Sequence, residues 1–263
     1  MMVPVMAVLY ILVVFVLIIL NIGQIPYFFT SVFGGAFKPQ AFFGGAKRGL
    51  MSNEAGQGTI TMSAAAADAK HPCEQGILAS LGVFLDTIVI CTLTGFVVVM
   101  AHCWTGEGAE AWAALDKLPK FTESIAVLTP GTSMNAIMTF LVTLCFGLFA
   151  FTCLLGMISF SEIAANRIRK DAVCINIVRC IALFVAAFGI LCNLAGLELG
   201  NLWAFSDLGN ILIVYFNVPI VFVGAKCVFK ATKHYKKNDG TPFDSSVVGR
   251  NDCVYWDEKK GAH

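Results

Sequence analysis

Polar and apolar positions in this 263-residue chain do not alternate; the polar ones are gathered into short stretches between long apolar runs. Residues 1–20, MMVPVMAVLYILVVFVLIIL, carry no charge, and the first charged residue is Lys38. An apolar run of about 20 residues crosses a bilayer as a helix. That criterion predicts spans at 1–20, at 77–101 (interrupted by Asp86), at 136–160, at 174–192 (with Arg179) and at 203–225 (with Asp207 near its start). Residues 36–69 are apolar enough for a sixth span, but GGAKRG and SNEAGQG interrupt them. The first run has neither the basic head nor the short core of a secretory signal, so it reads as a span.

Composition agrees with the pattern. Hydrophobic residues make up 57% of the chain and charged residues 13%, where a soluble domain carries about 25% charged residues. The expected fold is an all-α integral membrane protein with a lipid bilayer as its solvent. The net charge of +1 argues for neither a nucleic-acid nor an acidic partner, and no nucleic acid is expected. The ten cysteines show no CxxC and mostly lie in apolar runs, where cysteine is a small hydrophobe. Basic residues mark cytoplasmic loops. KCVFKATKHYKK after the last span and NRIRK at 166–170 therefore predict a cytoplasmic C-terminus, and the acidic loop 104–123 lies outside. The expected organisation is a transmembrane helical domain over 1–237 and a polar, unstructured cytoplasmic tail over 238–263.

The chemistry is concentrated in SNEAGQG, Ser52 to Gly58. In lipid, every backbone group freed by a helix break needs a partner, so a break is tolerated where it lines a cavity. Unwound carbonyls can hold a cation, and the start of a following half-helix favours an anion such as a carboxylate. This reading makes 52–58 the unwound part and 59–69 the second half-helix. The alternative is a glycine-rich loop between spans. The ten residues before Gly49, PQAFFGGAKR, hold a proline, two glycines and two charges, and half a bilayer needs about ten helical residues. The first half-helix is therefore expected to be distorted.

KRGLMSNEAGQG, then AAAADAKHPCEQG and FLDTIVICTLTG, resemble the alanine or glycine:cation symporter family. VPVMAVLYILVVFVLIILN upstream, and FGLFAFTCLLGMISFSE and LWAFSDLGNILIVYFNVPIV downstream, extend the likeness to about Tyr235. The resemblance implies the amino-acid/sodium symporter fold, built of two inverted five-helix repeats. It implies inward symport of alanine or glycine with sodium as coupling ion, no enzymatic cofactor and no covalent chemistry. The span at 1–20 is similar to the fifth helix of that fold, the broken segment to the sixth and the rest to the seventh to tenth; a first repeat is not found in this sequence. The sequence departs from the family at the short distance between Gly44–Gly45 and Lys47–Arg48. It departs again at Thr152–Cys153, where a pair of threonines is usual and sulfur suits sodium poorly.

The resemblance implies the following roles. Asn53 and Glu54 hold the break and line the cavity, and Gly56 and Gly58 let backbone approach a ligand. Trp203 walls the substrate pocket. Sodium falls to Thr152, Ser52, Asp86 and Thr87, with Asp86 also suited to a polar link between helices. Each has an ordinary alternative: loop residue, packing glycine, interfacial tryptophan or helix-packing threonine. Thr92 and Thr94 are expected to bond back to their own helix. Lys47 and Arg48 suit an outer gate or a solvated pair, and His71 and His102 are expected at span boundaries without a partner ligand. The leading function is sodium-coupled alanine or glycine symport by alternating access in the plasma membrane, as the later part of such a protein. The rival is a non-transporting membrane remnant, or a helical partner that associates with a first-repeat half. The absent first repeat predicts that the chain alone does not accumulate alanine or glycine.

Overall fold

The computed structural model describes residues 2–115, 117–197, 200–237, 243–250, 253 and 255–257. Among them there is no strand. Five helices are long and apolar enough to cross a bilayer: Val3–Leu20, Pro72–Met100, Thr132–Ile168, Ala172–Leu194 and Trp203–Lys237. They lie over the five unbroken spans expected from hydropathy and mostly outrun them. The chain divides into two compact units. One comprises the residues up to Gly49 with Phe84–Met157, and the other Leu50–Val83 with the residues from Ile158 onward.

The first unit starts with α1 (Met2–Leu20), a 3-10 turn at Ile22–Gln24 and α2 (Ile25–Ala36). Helix α3 (Pro39–Ser52) follows and passes into the second unit. After α4 (Ile60–Ala66), α5 (Pro72–Phe84) runs through a π-helical segment at Leu85–Ile90 into α6 (Cys91–Met100). The loop after α6 is not plain coil: it carries α7 (Ala109–Ala114) and α8 (Lys117–Leu128). On α8, Phe121, Ser124, Ile125 and Leu128 are buried, the i, i+3, i+4, i+7 stripe of an amphipathic helix. That stripe joins Tyr10, Val14 and Leu17 of α1, Val97 and Met100 of α6, and Val142 and Cys145 of α9 (Thr132–Ile168) in one core. The Asn21 amide closes the end of α1, donating to the carbonyls of Leu17 and Leu128, both at 2.9 Å. Between α1 and α6, the Tyr10 and Thr94 hydroxyls meet at 2.6 Å, and Thr94 donates to its own Ile90 carbonyl at 2.8 Å. Thr94 thus bonds back to its helix as expected, so the shared proton with Tyr10 is the tyrosine's. Packing and such bonds hold helices together where lipid removes the hydrophobic drive.

The second unit holds α4, most of α5, the end of α9, α10 (Ala172–Leu194) and α11 (Gly200–Lys237). Asp171 caps α10, its carboxylate accepting from the Val173 amide at 3.1 Å. Arg179 of α10 makes a two-point ion pair with Glu162 of α9, at 2.6 and 3.1 Å. A charge at membrane depth needs such a partner. With 38 residues, α11 is about 57 Å long. The hydrocarbon core is about 30 Å thick, so the basic end of α11 stands clear of it.

Two expectations are corrected here. PQAFFGGAKR is helical, lying inside the 14-residue α3. Pro39 occupies the first helical position, where its missing N–H costs nothing. Gly44 and Gly45 weaken the helix by about 1 kcal/mol each without ending it. The tail is not unstructured over its described part. Asp244 caps α12 (Ser245–Val248), and Phe243 and Val248 are buried against Ala231, with Cys73, Cys227 and Trp256 around them. The rest of the expected tail, residues 238–242, 251, 252, 254 and 258–263, lies outside the described residues.

Candidate functional site

Helix α3 ends in two turn-closing bonds. The Glu54 amide donates to the Met51 carbonyl at 3.2 Å, and the Ala55 amide to the Leu50 carbonyl at 2.9 Å. This helix-ending pattern requires a left-handed residue after the helix, and glycine usually fills that place. Here the residue is Glu54, with φ +51°. A side chain in that conformation costs about 1–2 kcal/mol, and such strain gathers at functional sites. The Glu54 carboxylate accepts a hydrogen bond from the Thr59 hydroxyl across the break. Gly56 and Gly58 follow with φ +78° and +80°. The Gln57 amide donates to the Glu54 carbonyl at 3.1 Å, the Thr61 hydroxyl to the Gly58 carbonyl, and α4 begins at Ile60. SNEAGQG is therefore a helix break with an ordered path. The second half-helix is shorter than expected and ends at Ala66.

The partner of the break went unseen in the sequence. Asn217 of α11 donates its Nδ2 to the Gly56 carbonyl at 2.8 Å. A Cβ on Gly58 would lie 3.2–3.3 Å from the same amide group, and one on Gly56 would meet Val214 and Val218 at 3.4–3.5 Å. Both glycines thus admit α11 at close range as well as the positive φ. Pro219 lies two residues beyond Asn217 inside α11, and its missing N–H frees the Tyr215 carbonyl from the helix ladder. An amide two residues before a helix-interior proline, in an apolar span, was the signal available in YFNVP.

The other candidates are dispersed. In the second unit, Asn53 is half-buried in the turn beside Glu54, and Ser52 is exposed at the end of α3. Trp203 is exposed near the start of α11, about 21 Å along that helix from Asn217, so it does not meet the residue that touches the break. Lys47 and Arg48 are exposed on α3. In the first unit, Asp86 and Thr87 are half-buried within the π-helical segment, where the Cys91 amide reaches back to the Asp86 carbonyl. Asp86 stands at the midpoint of the 29-residue helix Pro72–Met100, so it lies deep in the span. Single π turns inside helices are frequent at functional sites; hydropathy gave no sign of this one. The Thr152 hydroxyl lies 3.0 Å from both the Leu148 and Phe149 carbonyls of its own helix and 4.0 Å from the Met6 sulfur. His71 does have a partner, against expectation, and faces His234. His102 stacks on Tyr27 and meets the Gln24 side chain at 3.1 Å.

Among the described residues no three His, Cys, Asp or Glu side chains gather to hold a metal ion. The chemistry at the break is that of oxygen: carbonyls, one carboxylate and hydroxyls, which suit a hard cation. A family model described as the sodium:alanine symporter family matches residues 1–246. The chain belongs to that family. Its members are transporters and not enzymes, and with five membrane-crossing helices the chain is a multi-pass membrane protein. An uncharacterized transporter of Haemophilus influenzae is 33% identical over 89% of this chain and 50% of its own length. The putative sodium/proton-dependent alanine carrier protein YrbD of Bacillus subtilis is 30% identical over 100% of this chain and 57% of its own. The sodium/alanine symporter AgcS of Methanococcus maripaludis is 37% identical over 61% of this chain and 35% of its own. The chain spans about half the length of the first two of these relatives.

Proposed function

We propose that this protein serves sodium-coupled symport of alanine or glycine across the plasma membrane, with its C-terminus in the cytoplasm. The observation that carries the reading is the helix broken between Ser52 and Ile60, in which Glu54 is strained into the left-handed region and Asn217 closes on Gly56 and Gly58. The names of the relatives support alanine as substrate and sodium as coupling ion. The substrate carboxylate would lie near the backbone amides at Gly58–Thr59, and its amine near Glu54. Asn53 would shape the turn and Trp203 would wall the approach. Candidate oxygens for sodium in the first unit are Asp86, Thr87 and Thr152; in the second unit, considered by itself, Ser52 is a candidate beside the break. Sodium and amino acid would bind together, and one helix bundle would rock against the rest to change access.

The test is uptake of radiolabelled alanine and glycine into native membrane vesicles under an inward sodium gradient. Uptake that requires the gene and collapses without the gradient is expected. Identical uptake in vesicles with and without the gene would overturn the reading. Reconstitution of the chain alone then separates a self-sufficient transporter from a helical partner that needs a first-repeat half.

A further inference from the structure

The loop that leaves α4 is held from behind by the end of α11 and the C-terminal segment. His71, buried at 7% exposure, is the centre of that contact. Its ring faces His234 of α11 at a centroid distance of 5.4 Å, Tyr235 at 4.9 Å and Phe243 at 4.8 Å. Phe243 in turn packs on Trp256 at 5.6 Å. Outside the rings, the Tyr255 hydroxyl donates to Asp68 at 2.6 Å, and Lys230 donates its Nζ to the Val248 carbonyl at 3.1 Å.

The proton positions follow from one backbone donor. The Cys73 amide donates to His71 Nδ1 at 3.1 Å, so Nδ1 carries no proton. Neutral His71 therefore carries its proton on Nε2, which points at His234 Nδ1 at 3.3 Å. His234 Nδ1 must accept, so its proton is on Nε2. Both lone pairs that could receive another proton are already used. Protonating either ring sets two N–H donors against each other, and protonating both sets two cations 3.3 Å apart.

We infer that the His71–His234 pair is a proton-operated latch, which holds Phe243–Arg250 and Trp256 against the loop behind the broken helix and releases them in acid. Among the described residues, the following charged and titratable groups stand around the pair. Glu74 of α5 favours the protonated ring, while burial, first, and His234, second, push the pKa of His71 below its ordinary value. Cys73 lies beside the ring on α5, and α11 presents Cys227, Lys230 and Tyr235. The C-terminal segment presents Cys253, Tyr255, Asp244, which accepts from the Ser246 amide, and Asp257, which accepts from the Ser245 amide. With the folded value depressed, the latch is at full strength above the ordinary histidine value of about 6.5. It weakens as pH falls below that value, because the opened form binds the proton more tightly than the closed one.

The experiment is hydrogen exchange read by mass spectrometry on the full chain in detergent, between pH 8 and pH 5.5. Exchange rates of peptides covering Phe243–Arg250 are corrected for intrinsic chemistry. Protection should be constant above neutrality and fall below about 6.5, by at most about tenfold per pH unit, the limiting slope for one proton. The double variant His71→Asn, His234→Gln keeps acceptors and donors but cannot titrate, and its corrected protection should be flat. A flat response in the unmodified protein overturns the proposal, and so does an equal acid loss in the double variant. Should the double variant fail to fold, the response of the unmodified protein alone decides.

Discussion

Changing Gly58 and Gly49 to alanine makes one chemical change twice, with opposite consequences. Gly49 lies in α3 with nothing within 4 Å of an added Cβ, so alanine there should stabilise by roughly 0.5–1 kcal/mol through helix propensity. At Gly58 φ is +80°, and the added carbon meets the Asn217 amide at 3.2 Å. The left-handed backbone costs about 1–2 kcal/mol once a side chain is present. Displacing Asn217 also loses its bond to the Gly56 carbonyl, about 1 kcal/mol more. The two variants should therefore differ by about 3 kcal/mol. A thermal melt in detergent should place Gly58→Ala roughly 5–10 °C below the unmodified protein and Gly49→Ala slightly above it. Combining Gly58→Ala with Asn217→Ala should cost about 1 kcal/mol less than the sum of the two single changes, because the bond is lost only once. Equal melting of the two alanine variants, or strict additivity in the double variant, would refute the clamp.

At position 54, Glu54→Gly and Glu54→Ala both lose the Thr59 contact, but glycine relieves the left-handed backbone and should melt higher by about 1 kcal/mol; under the proposed function both should lose sodium-driven uptake in the vesicle assay. Arg179→Ala leaves Glu162 without its two-point partner and should melt below Arg179→Lys, which keeps the charge but not the planar fork. An alkaline phosphatase fused after Lys237 should be inactive, given the basic end of α11; strong activity would reverse the orientation.

Helix positions were legible because lipid requires long apolar runs, and hydropathy counts them directly. The break was legible too: SNEAGQG combines two glycines, a carboxylate and two amides where the neighbouring spans have almost none. What it touches was not. Membrane helices are apolar on every side, so periodicity does not say which face of α11 meets Gly56 and Gly58; on α8, by contrast, Phe121, Ile125 and Leu128 recur at helical spacing within a loop that its acidic charge dominates. The π turn at Asp86 depends on backbone bonding that residue types do not encode. His71 and His234 lie 163 residues apart, and no local pattern joins them. PQAFFGGAKR misled because proline and glycine were counted as breakers without regard to position: Pro39 starts the helix, and neither Gly44 nor Gly45 takes a positive φ.

Helix α11 grips the broken segment at two places. Asn217 holds its front at Gly56, and His234, about 26 Å further along the same helix, holds the loop behind it at His71. The short α4 lies in the chain between these two grips. It resembles a rung fixed to a single rail, so a displacement of α11 as a whole carries the half-helix with it and leaves the break unchanged in shape. Opening the break requires the two grips to move apart or one to let go. Pro219, with its missing backbone bond, lies between them in α11, so bending there would pull on one grip against the other.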